Sequence, residues 1–398
     1  MRARSLLFLK DVFIIAVTAF GGPQAHLVLM LKYLVHKHKF VTEDDLMETV
    51  AFCQMLPGPS STQTITAIAF KKGGVLLAIL SLIIWIIPAT AIMTAITLIF
   101  SMFQRNNFST DFLRYMQPMA IGFIAFAGYK IGISVIKTKM TFFIMLGACL
   151  LTIIFRSPFI LPGILIAGGL ISTITNKKDH ELGEEKLLFS WTNFWVSIIL
   201  FGGIFILAAV LGAITHNRQM VLFENFYRFG AITFGGGQVM VPLMFEQFVV
   251  HNTYLNAHDF ITGYALNQMI PGPTFSFAAF TGGMALRDLG PQFIFGGCII
   301  ATVAIYLPGA LLVLFLYPLW QYIKNYKYIY RSLAGVNAAA TGLVFGAAVD
   351  IYYALNFAWT NIFIVIATFL LLLFTKIPPP ILVLLALGAG FLITYKVI

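Results

Sequence analysis

Charged residues are scarce in this sequence. Lys and Arg together number 25 and Asp and Glu only 15, so that charged residues make up 10% of the 398 positions. A soluble domain carries roughly 25% charged residues. Hydrophobic residues instead make up 60% of this chain and aromatic residues 15%. The composition excludes an ordinary soluble domain and predicts an all-α polytopic membrane protein.

The sequence also lacks the residue patterns of several functional classes. Its three cysteines, Cys53, Cys149 and Cys298, lie in apolar segments without the paired spacing of a disulfide framework or a metal site. No nucleotide-binding glycine loop is present, which argues against transport driven by ATP within this chain. No nucleophile lies beside an obvious base, so we expect neither enzymatic activity nor a cofactor. The net charge of +10 comes from basic residues at the ends of apolar segments and does not predict nucleic-acid binding.

What the sequence does contain is an internal repeat. The stretch Phe20-Gly21-Gly22-Pro23-Gln24 reappears 214 positions later as Phe234-Gly235-Gly236-Gly237-Gln238. The stretch Gln54-Met55-Leu56-Pro57-Gly58-Pro59 reappears at the same distance as Gln268-Met269-Ile270-Pro271-Gly272-Pro273. The two motifs are separated by the same number of residues in both copies, so a chance recurrence is a poor explanation.

The repeat extends over nearly the whole chain. After an insertion of six residues at 287–292 the distance becomes 220, as between Pro88 and Pro308 or between Gly122 and Gly342. We therefore expect two homologous halves, residues 5–174 and 220–395. Residues 175–219 would link them through a charged cytoplasmic loop and one additional membrane span.

Each half contains two positions at which a helix must break. Pro-Gly-Pro cannot lie inside a regular helix, because each proline lacks an N–H donor and restricts the residue before it. Proline suits the first turn of a new helix, and Ser60 or Ser61 could cap that turn. In a membrane, unpaired N–H groups survive only when they are buried in protein or face a polar cavity. A helix start of this kind favours anion binding.

The basic residues predict how the chain crosses the membrane. Lys71, Lys72, Lys137, Lys139 and the loop at 176–190 fall on one side if the four apolar segments between 74 and 175 each cross once. That side is expected to be the cytoplasm and to hold the N-terminus. The extra span at 191–214 then inverts the second half. Inverted repeats are typical of transporters that bind their substrate near the bilayer midplane, at broken helices.

The paired motifs resemble those of the chromate ion transporter (CHR) family, whose long members have two homologous halves with a Phe-Gly-Gly and a Pro-Gly-Pro element in each. The resemblance covers essentially the whole chain. It implies export of chromate across the inner membrane and the handling of sulfate-like oxyanions. Pro23 stands where the second half has Gly237, so the two Gly-Gly bends need not be alike.

Candidate anion-binding residues lie at the four breaks. Fifteen positions are expected to contact the anion: Gly21, Gly22, Gln24, Gln54, Gly58, Ser60, Ser61, Thr62, Gly235, Gly236, Gln238, Gln268, Gly272, Thr274 and Ser276. The alternatives stay open. The glycines could serve close helix packing, the hydroxyls could bond to carbonyls of their own helices, and the glutamines could join helices to each other.

Four charged positions complete the candidates. Arg228 lies six residues before the second Phe-Gly-Gly element, in an apolar helix where an arginine is costly and usually functional. Otherwise it pairs with Glu224 or reaches the surface. Glu48 could carry a coupling proton if it is buried, and is otherwise an interfacial or paired carboxylate. Asp45 and Asp259 are expected to cap their helices near the surface.

The sequence therefore predicts a secondary transporter for a divalent tetrahedral oxyanion, with chromate as the first candidate. The alternatives are a sulfate or organic-anion carrier of the same fold, and a membrane scaffold or sensor that transports nothing. The expected partners are the oxyanion and the lipid bilayer, with a homodimer left open as an assembly. Uniport and proton antiport are both thermodynamically possible mechanisms of export.

Overall fold

The computed structural model describes residues 3–106, 111–155, 157, 160–175, 191–234, 236–317, 327–355, 358–375 and 377–394. Within these ranges all regular structure is helical and no strand occurs, which confirms the predicted all-α fold. Arg2, Gly235 and the charged loop at 176–190 lie outside the described residues.

The helices follow the repeat in order. The first half contains α1 (Ala3–Thr18), α2 (Pro23–Met30), α3 (Glu43–Met55), α4 (Ser60–Arg105), α5 (Met116–Val135), α6 (Lys139–Phe155) and α7 (Ile160–Thr175). The linking helix is α8 (Trp191–Thr215). The second half contains α9 (Arg218–Ile232), α10 (Met240–Phe245), α11 (Ala257–Asn267), α12 (Phe277–Ala285), α13 (Pro291–Leu316), α14 (Lys327–Ala354), α15 (Trp359–Phe374) and α16 (Pro379–Thr394).

The described residues include four helical stretches that are long and apolar enough to cross a bilayer. They are Ser60–Arg105, Asp111–Val135, Pro291–Leu316 and Arg331–Ala354. The 46 residues of α4 exceed the about 20 that a span needs. Non-helical backbone at Gly73 and Gly74 divides α4 into a short first part and a long second part. This division agrees with the break expected between residues 70 and 74.

In the second half the connection between the short and the long helix has a different structure. Helix α12 ends at Ala285, a 3-10 turn follows at Arg287–Leu289, and α13 starts at Pro291 after Gly290. The six inserted residues thus lie in the connection between a short and a long helix, where extra chain disturbs no core packing.

A further shared feature is the π-helical turn that follows α2 at Leu31–Lys37 and α10 at Glu246–His251. Such turns are rare in proteins.

Helices of opposite halves pack together in matching pairs. Helix α5 packs against α15 and α16, whereas its counterpart α14 packs against α6 and α7. A Cβ atom at Gly122 would lie 2.7 Å from Cβ of Thr368, and one at Gly342 would lie 2.7 Å from Cβ of Ala148. The two pairs are related by the shift of 220 residues. Contacts that recur with the halves exchanged define a local two-fold relation between them.

We propose that this two-fold axis lies in the membrane plane, so that the halves are inverted. The alternative is an axis along the membrane normal, which would place equivalent residues on the same side of the bilayer. Ser134 and Ala354 distinguish the two arrangements, because they are equivalent, exposed and near the ends of α5 and α14.

In a chain whose three cysteines are replaced by alanine, Ser134→Cys and Ala354→Cys are expected to react with a membrane-impermeant maleimide from opposite sides. The measurement compares labelling in right-side-out and inside-out vesicles. Labelling of both positions from one side would contradict the inverted arrangement and favour parallel repeats.

Candidate functional site

The four helix breaks of the sequence repeat meet through two backbone hydrogen bonds. Gly58 N–H donates to the carbonyl oxygen of Thr233 at 2.7 Å, and Gly272 N–H donates to the carbonyl oxygen of Ala19 at 2.8 Å. Ala19 and Thr233 immediately precede the two Phe-Gly-Gly elements. Each Pro-Gly-Pro element is therefore bonded to the Phe-Gly-Gly region of the other half.

The local sequence explains why the bonds form at these glycines. Glycine carries the only backbone donor within Pro-Gly-Pro, because proline has no N–H. Gly58 and Gly272 have φ angles of 116° and 100°, in a region that residues with a side chain avoid. The Cα of Gly309 and the Cβ of Ala89, which are equivalent positions, lie within 3.4 Å of where a Cβ on these glycines would be. The donors of Gly58 and Gly272 are thus engaged by protein and are not free for an anion.

The free donors lie one residue further on, at the start of α4. The helix is preceded by Pro59, whose carbonyl accepts the first helical bond from Gln63 N–H at 2.9 Å, and no side chain caps this end. The expected cap by Ser60 or Ser61 is therefore wrong, because both residues are already helical. The N–H groups of the first turn, Ser60 to Thr62, have no acceptor within the helix. Of the predicted anion-binding features of the first half, this uncapped turn has the most backbone donors without an acceptor in its own helix.

The hydroxyl groups of this turn divide into engaged and accessible ones. Thr64 donates to the carbonyl of Ser60 at 2.8 Å. A hydroxyl bonded to a carbonyl of its own helix is the alternative to anion binding that the sequence left open. Thr62 accepts a hydrogen bond from Trp85 Nε1 at 3.0 Å. Ser60 and Ser61 are only half-buried. They remain the hydroxyl groups best placed to meet a ligand.

The helix start that follows Pro273 in the second half has more side-chain hydrogen bonds than the start of α4. Residues Thr274–Ser276 form a 3-10 turn before α12. Ser276 donates to Asn267 Oδ1 at 2.8 Å, and Asn267 Nδ2 donates to the carbonyl of Thr274 at 3.2 Å. A Cβ at Gly237 would overlap Thr274 Oγ1, so the two breaks of this half are in direct contact. Asn267 has no polar counterpart in the first half, where Cys53 is equivalent, and sequence reasoning did not identify it.

The four glutamines separate into a half-buried and an exposed pair. In the second half Tyr264 donates its hydroxyl to Gln238 Oε1, and the Tyr264 hydroxyl also interacts with the side chain of Gln268. The Nε2 atom of Gln268 is buried without a hydrogen-bond partner among the described residues. In the first half Gln24 and Gln54 are exposed. The structure thus gathers only the second pair into a network, through a tyrosine that the repeat does not predict, since Val50 is its counterpart.

The glycines of the Phe-Gly-Gly elements are present for their backbone conformation. Gly21, Gly22 and Gly236 have φ angles of 101°, 78° and 104°. A Cβ at Gly22 or Gly236 would meet no atom within 4 Å, which argues against the close-packing alternative at these two positions. Gly235 lies outside the described residues. These glycines turn the chain so that α2 and α10 begin beside the Pro-Gly-Pro elements.

Arg228 has protein partners on several sides. Its Nε lies 3.2 Å from Glu224 Oε1, and its Nη2 donates to Asn225 Oδ1 at 2.6 Å and to Gln247 Oε1 at 2.9 Å. The pairing with Glu224 that the sequence left open is present. Direct contact of Arg228 with an anion stays a prediction.

The acidic candidates differ from expectation. Glu48 is exposed, so the burial on which its proton-coupling role depended is absent. Asp45 and Asp259 are not caps, because Thr42 and Asn256 accept their N–H groups and occupy the N-cap positions. Asp259 is also buried, contrary to its expected place near the surface.

The two aspartates instead form ion pairs, with partners that are not equivalent in the repeat. Asp45 pairs with Lys71 at 2.7 Å, and this hydrogen bond lowers the pKa of Asp45. Asp259 pairs with Arg287 and also accepts from Gln104, a residue of the first half, at 2.7 Å. The second pair therefore ties the halves together at one end of α4, whereas the first pair is solvated.

Paired broken helices that meet at the boundary between two symmetric halves define a class, the helical membrane transporters built from internal repeats. The chain belongs to the chromate transporter family, whose sequence model matches residues 6–173 and 220–391.

Individual relatives agree with this membership over most of their length. An uncharacterized transporter of Methanocaldococcus jannaschii is 27% identical over 95% of this chain and 92% of its own length. A probable chromate transport protein of Synechococcus elongatus is 27% identical over 87% and 84%. A chromate transport protein of Pseudomonas aeruginosa is 23% identical over 84% and 77%. No solved structure matches the chain.

The crossed hydrogen bonds predict an unequal effect of two glycine substitutions. Gly236→Ala adds only backbone strain, because its Cβ would meet no atom within 4 Å. Gly272→Ala adds the same strain and places a Cβ 3.1 Å from Ala89 Cβ and 3.2 Å from Ala16 O, beside the bond to Ala19. We expect Gly272→Ala to lower the free energy of unfolding by about 1–3 kcal/mol more than Gly236→Ala. Equal Tm values for the two variants in detergent would contradict this account of the crossing.

Proposed function

We propose that the protein is a secondary transporter that exports chromate across the cytoplasmic membrane. The observation that carries the proposal is the crossed pair of hydrogen bonds from Gly58 to Thr233 and from Gly272 to Ala19. They hold an uncapped helix start of one half against the broken segment of the other. The names of two relatives, each a chromate transport protein by description, support the choice of substrate.

The chemistry of this place suits a tetrahedral oxyanion. Chromate offers only acceptor oxygens, and the first turn of α4 offers N–H donors, the Ser60 and Ser61 hydroxyls and the positive end of a helix dipole. Sulfate has the same charge and shape, so the same donors would accept it. Competition between the two anions measures how far the site distinguishes them.

The membrane potential favours the proposed direction. Moving one charge across 100 mV is worth about 2.3 kcal/mol, so an inside-negative potential drives a dianion outward by roughly twice that amount. No pump is needed for export. Proton antiport would add to the driving force, but the exposed Glu48 gives that mechanism no support from burial.

The direct test of the proposal is flux into proteoliposomes that contain the purified protein. Chromate, sulfate, phosphate and chloride are compared under an imposed potential. Saturable chromate flux that depends on the protein is expected, with competition by sulfate. A protein that moves none of the four anions would be the scaffold or sensor instead.

Ser60→Pro tests the backbone donors of α4 specifically. Proline is tolerated at the first helical position, where it removes one N–H and leaves the helix intact. Loss of one hydrogen bond to a charged acceptor costs about 1.5–3 kcal/mol, or about tenfold or more in chromate KM. The control Ser60→Ala keeps the N–H and removes only the hydroxyl. A KM for Ser60→Pro no higher than that for Ser60→Ala would exclude this N–H from the site.

Arg228 requires a design that separates anion contact from its pairing with Glu224. As an anion-contacting residue, Arg228→Ala should reduce chromate flux by about tenfold or more, and Arg228→Lys should recover only part, because an ammonium cannot reproduce a planar guanidinium. The loss should persist in Arg228→Ala combined with Glu224→Gln. Recovery in the double variant would instead show that Arg228 serves only to neutralise Glu224.

A further inference from the structure

His26 is a buried polar residue that neither the repeat nor the fold requires. Its exposed fraction is 2%, and neither ring nitrogen has a hydrogen-bond partner among the described residues. Burying a donor and an acceptor without partners is unfavourable. The equivalent residue of the second half is Met240, which is equally buried. An apolar side chain thus fits the same place in the fold without this cost.

The ring of His26 lies where the breaks of the two halves meet. His26 is in the first turn of α2, which follows Gly21-Gly22, and its backbone N–H donates to the Gly22 carbonyl at 3.1 Å. The backbone of Gly272, in the Pro-Gly-Pro element of the second half, lies beside the imidazole as a weak acceptor that falls short of full hydrogen-bond geometry. The ring is therefore close to one of the two crossed hydrogen bonds.

The ring of His26 also contacts a tryptophan that is hydrogen-bonded to the start of α4. The rings of His26 and Trp85 meet edge to face, with centroids 5.1 Å apart. Trp85 Nε1 in turn donates to Thr62 Oγ1 at 3.0 Å. One aromatic side chain thus separates His26 from the uncapped first turn. A buried, unpartnered imidazole in this position points to a ligand that completes its hydrogen bonding.

We propose that His26 contacts the transported oxyanion by donating a ring N–H to one of its oxygens. This inference rests on the proposed function and adds to it a side-chain donor contributed by α2. An imidazole carries at least one N–H whether it is neutral or protonated, so the contact needs no change of charge. The contact would also explain why the two halves differ at this position, since Met240 offers no donor.

The alternative is that His26 is retained for its packing against Trp85. Two substitutions separate donation from packing. His26→Gln keeps an N–H donor and loses the aromatic edge, whereas His26→Phe keeps a ring against Trp85 and loses the donor. His26→Met introduces the residue type that the second half accepts at the equivalent position, so it provides a donor-free variant that the fold should tolerate.

The experiment measures chromate KM in proteoliposomes and, in parallel, Tm in detergent without anion. We expect KM to rise about tenfold or more in His26→Phe and His26→Met, as for the loss of one hydrogen bond to a charged acceptor, and less than about threefold in His26→Gln. Met240→Phe is the matched control for a larger ring on the equivalent helix. Should His26→Phe not fold, His26→Met alone decides the comparison with His26→Gln.

The outcomes separate this inference from the proposed function. Chromate flux by the unsubstituted protein together with an unchanged KM in His26→Met would overturn the role of His26 and leave the transport proposal standing. A KM in His26→Gln as high as that in His26→Met would also overturn it, because donation would then not be what matters. Absence of oxyanion flux in the unsubstituted protein would overturn the proposed function and, with it, the inference.

Discussion

The architecture depends on how a membrane-embedded chain satisfies the backbone groups that proline leaves unpaired. An unpaired N–H in hydrocarbon costs several kcal/mol, so a helix broken at Pro-Gly-Pro needs an acceptor from elsewhere. Here the acceptor is the carbonyl at position 233 for Gly58 and at position 19 for Gly272, each in the opposite half. In neither half does the glycine N–H of the Pro-Gly-Pro break bond to an acceptor of the same half. The same requirement brings an uncapped helix start, with its remaining donors, to the boundary between the halves.

The two halves share a sequence pattern but differ in exposure. In the second half Gln238 and Gln268 are half-buried beside the buried Tyr264, and Gln104 of the first half donates to Asp259 of the Asp259–Arg287 pair. In the first half the equivalent glutamines are exposed and Asp45–Lys71 is solvated. Equivalent segments in unequal environments are what a transporter needs if its two sides open alternately. The asymmetry supports the proposed function on grounds independent of the family.

Part of this could be predicted from the sequence, and the reasons are physical. The constant shifts of 214 and 220 residues identify the halves, and proline chemistry identifies the breaks, because both are local or periodic signals. The engagement of the Gly58 and Gly272 donors was not predictable, since their acceptors lie in the other half. The same reason applies to His26, whose neighbours Trp85 and Gly272 are distant in sequence. Tyr264 and Asn267 have their partners in their own half, but the repeat does not mark them, because Val50 and Cys53 stand at the equivalent positions. The place of Glu48 along α3 suggests burial, but its exposure depends on the rotation of the helix about its axis, for which so short a helix has no clear sequence signal.

The central claim is that one oxyanion binds where the breaks of both halves meet. A structure of the protein with bound chromate, with the metal located by anomalous scattering at the chromium edge, tests this claim most directly. The account predicts chromium beside the first turn of α4, with oxyanion oxygens about 3 Å from backbone nitrogens of Ser60 to Thr62. Chromium found only near exposed lysines such as Lys71 and Lys72, with that helix start unoccupied, would contradict it.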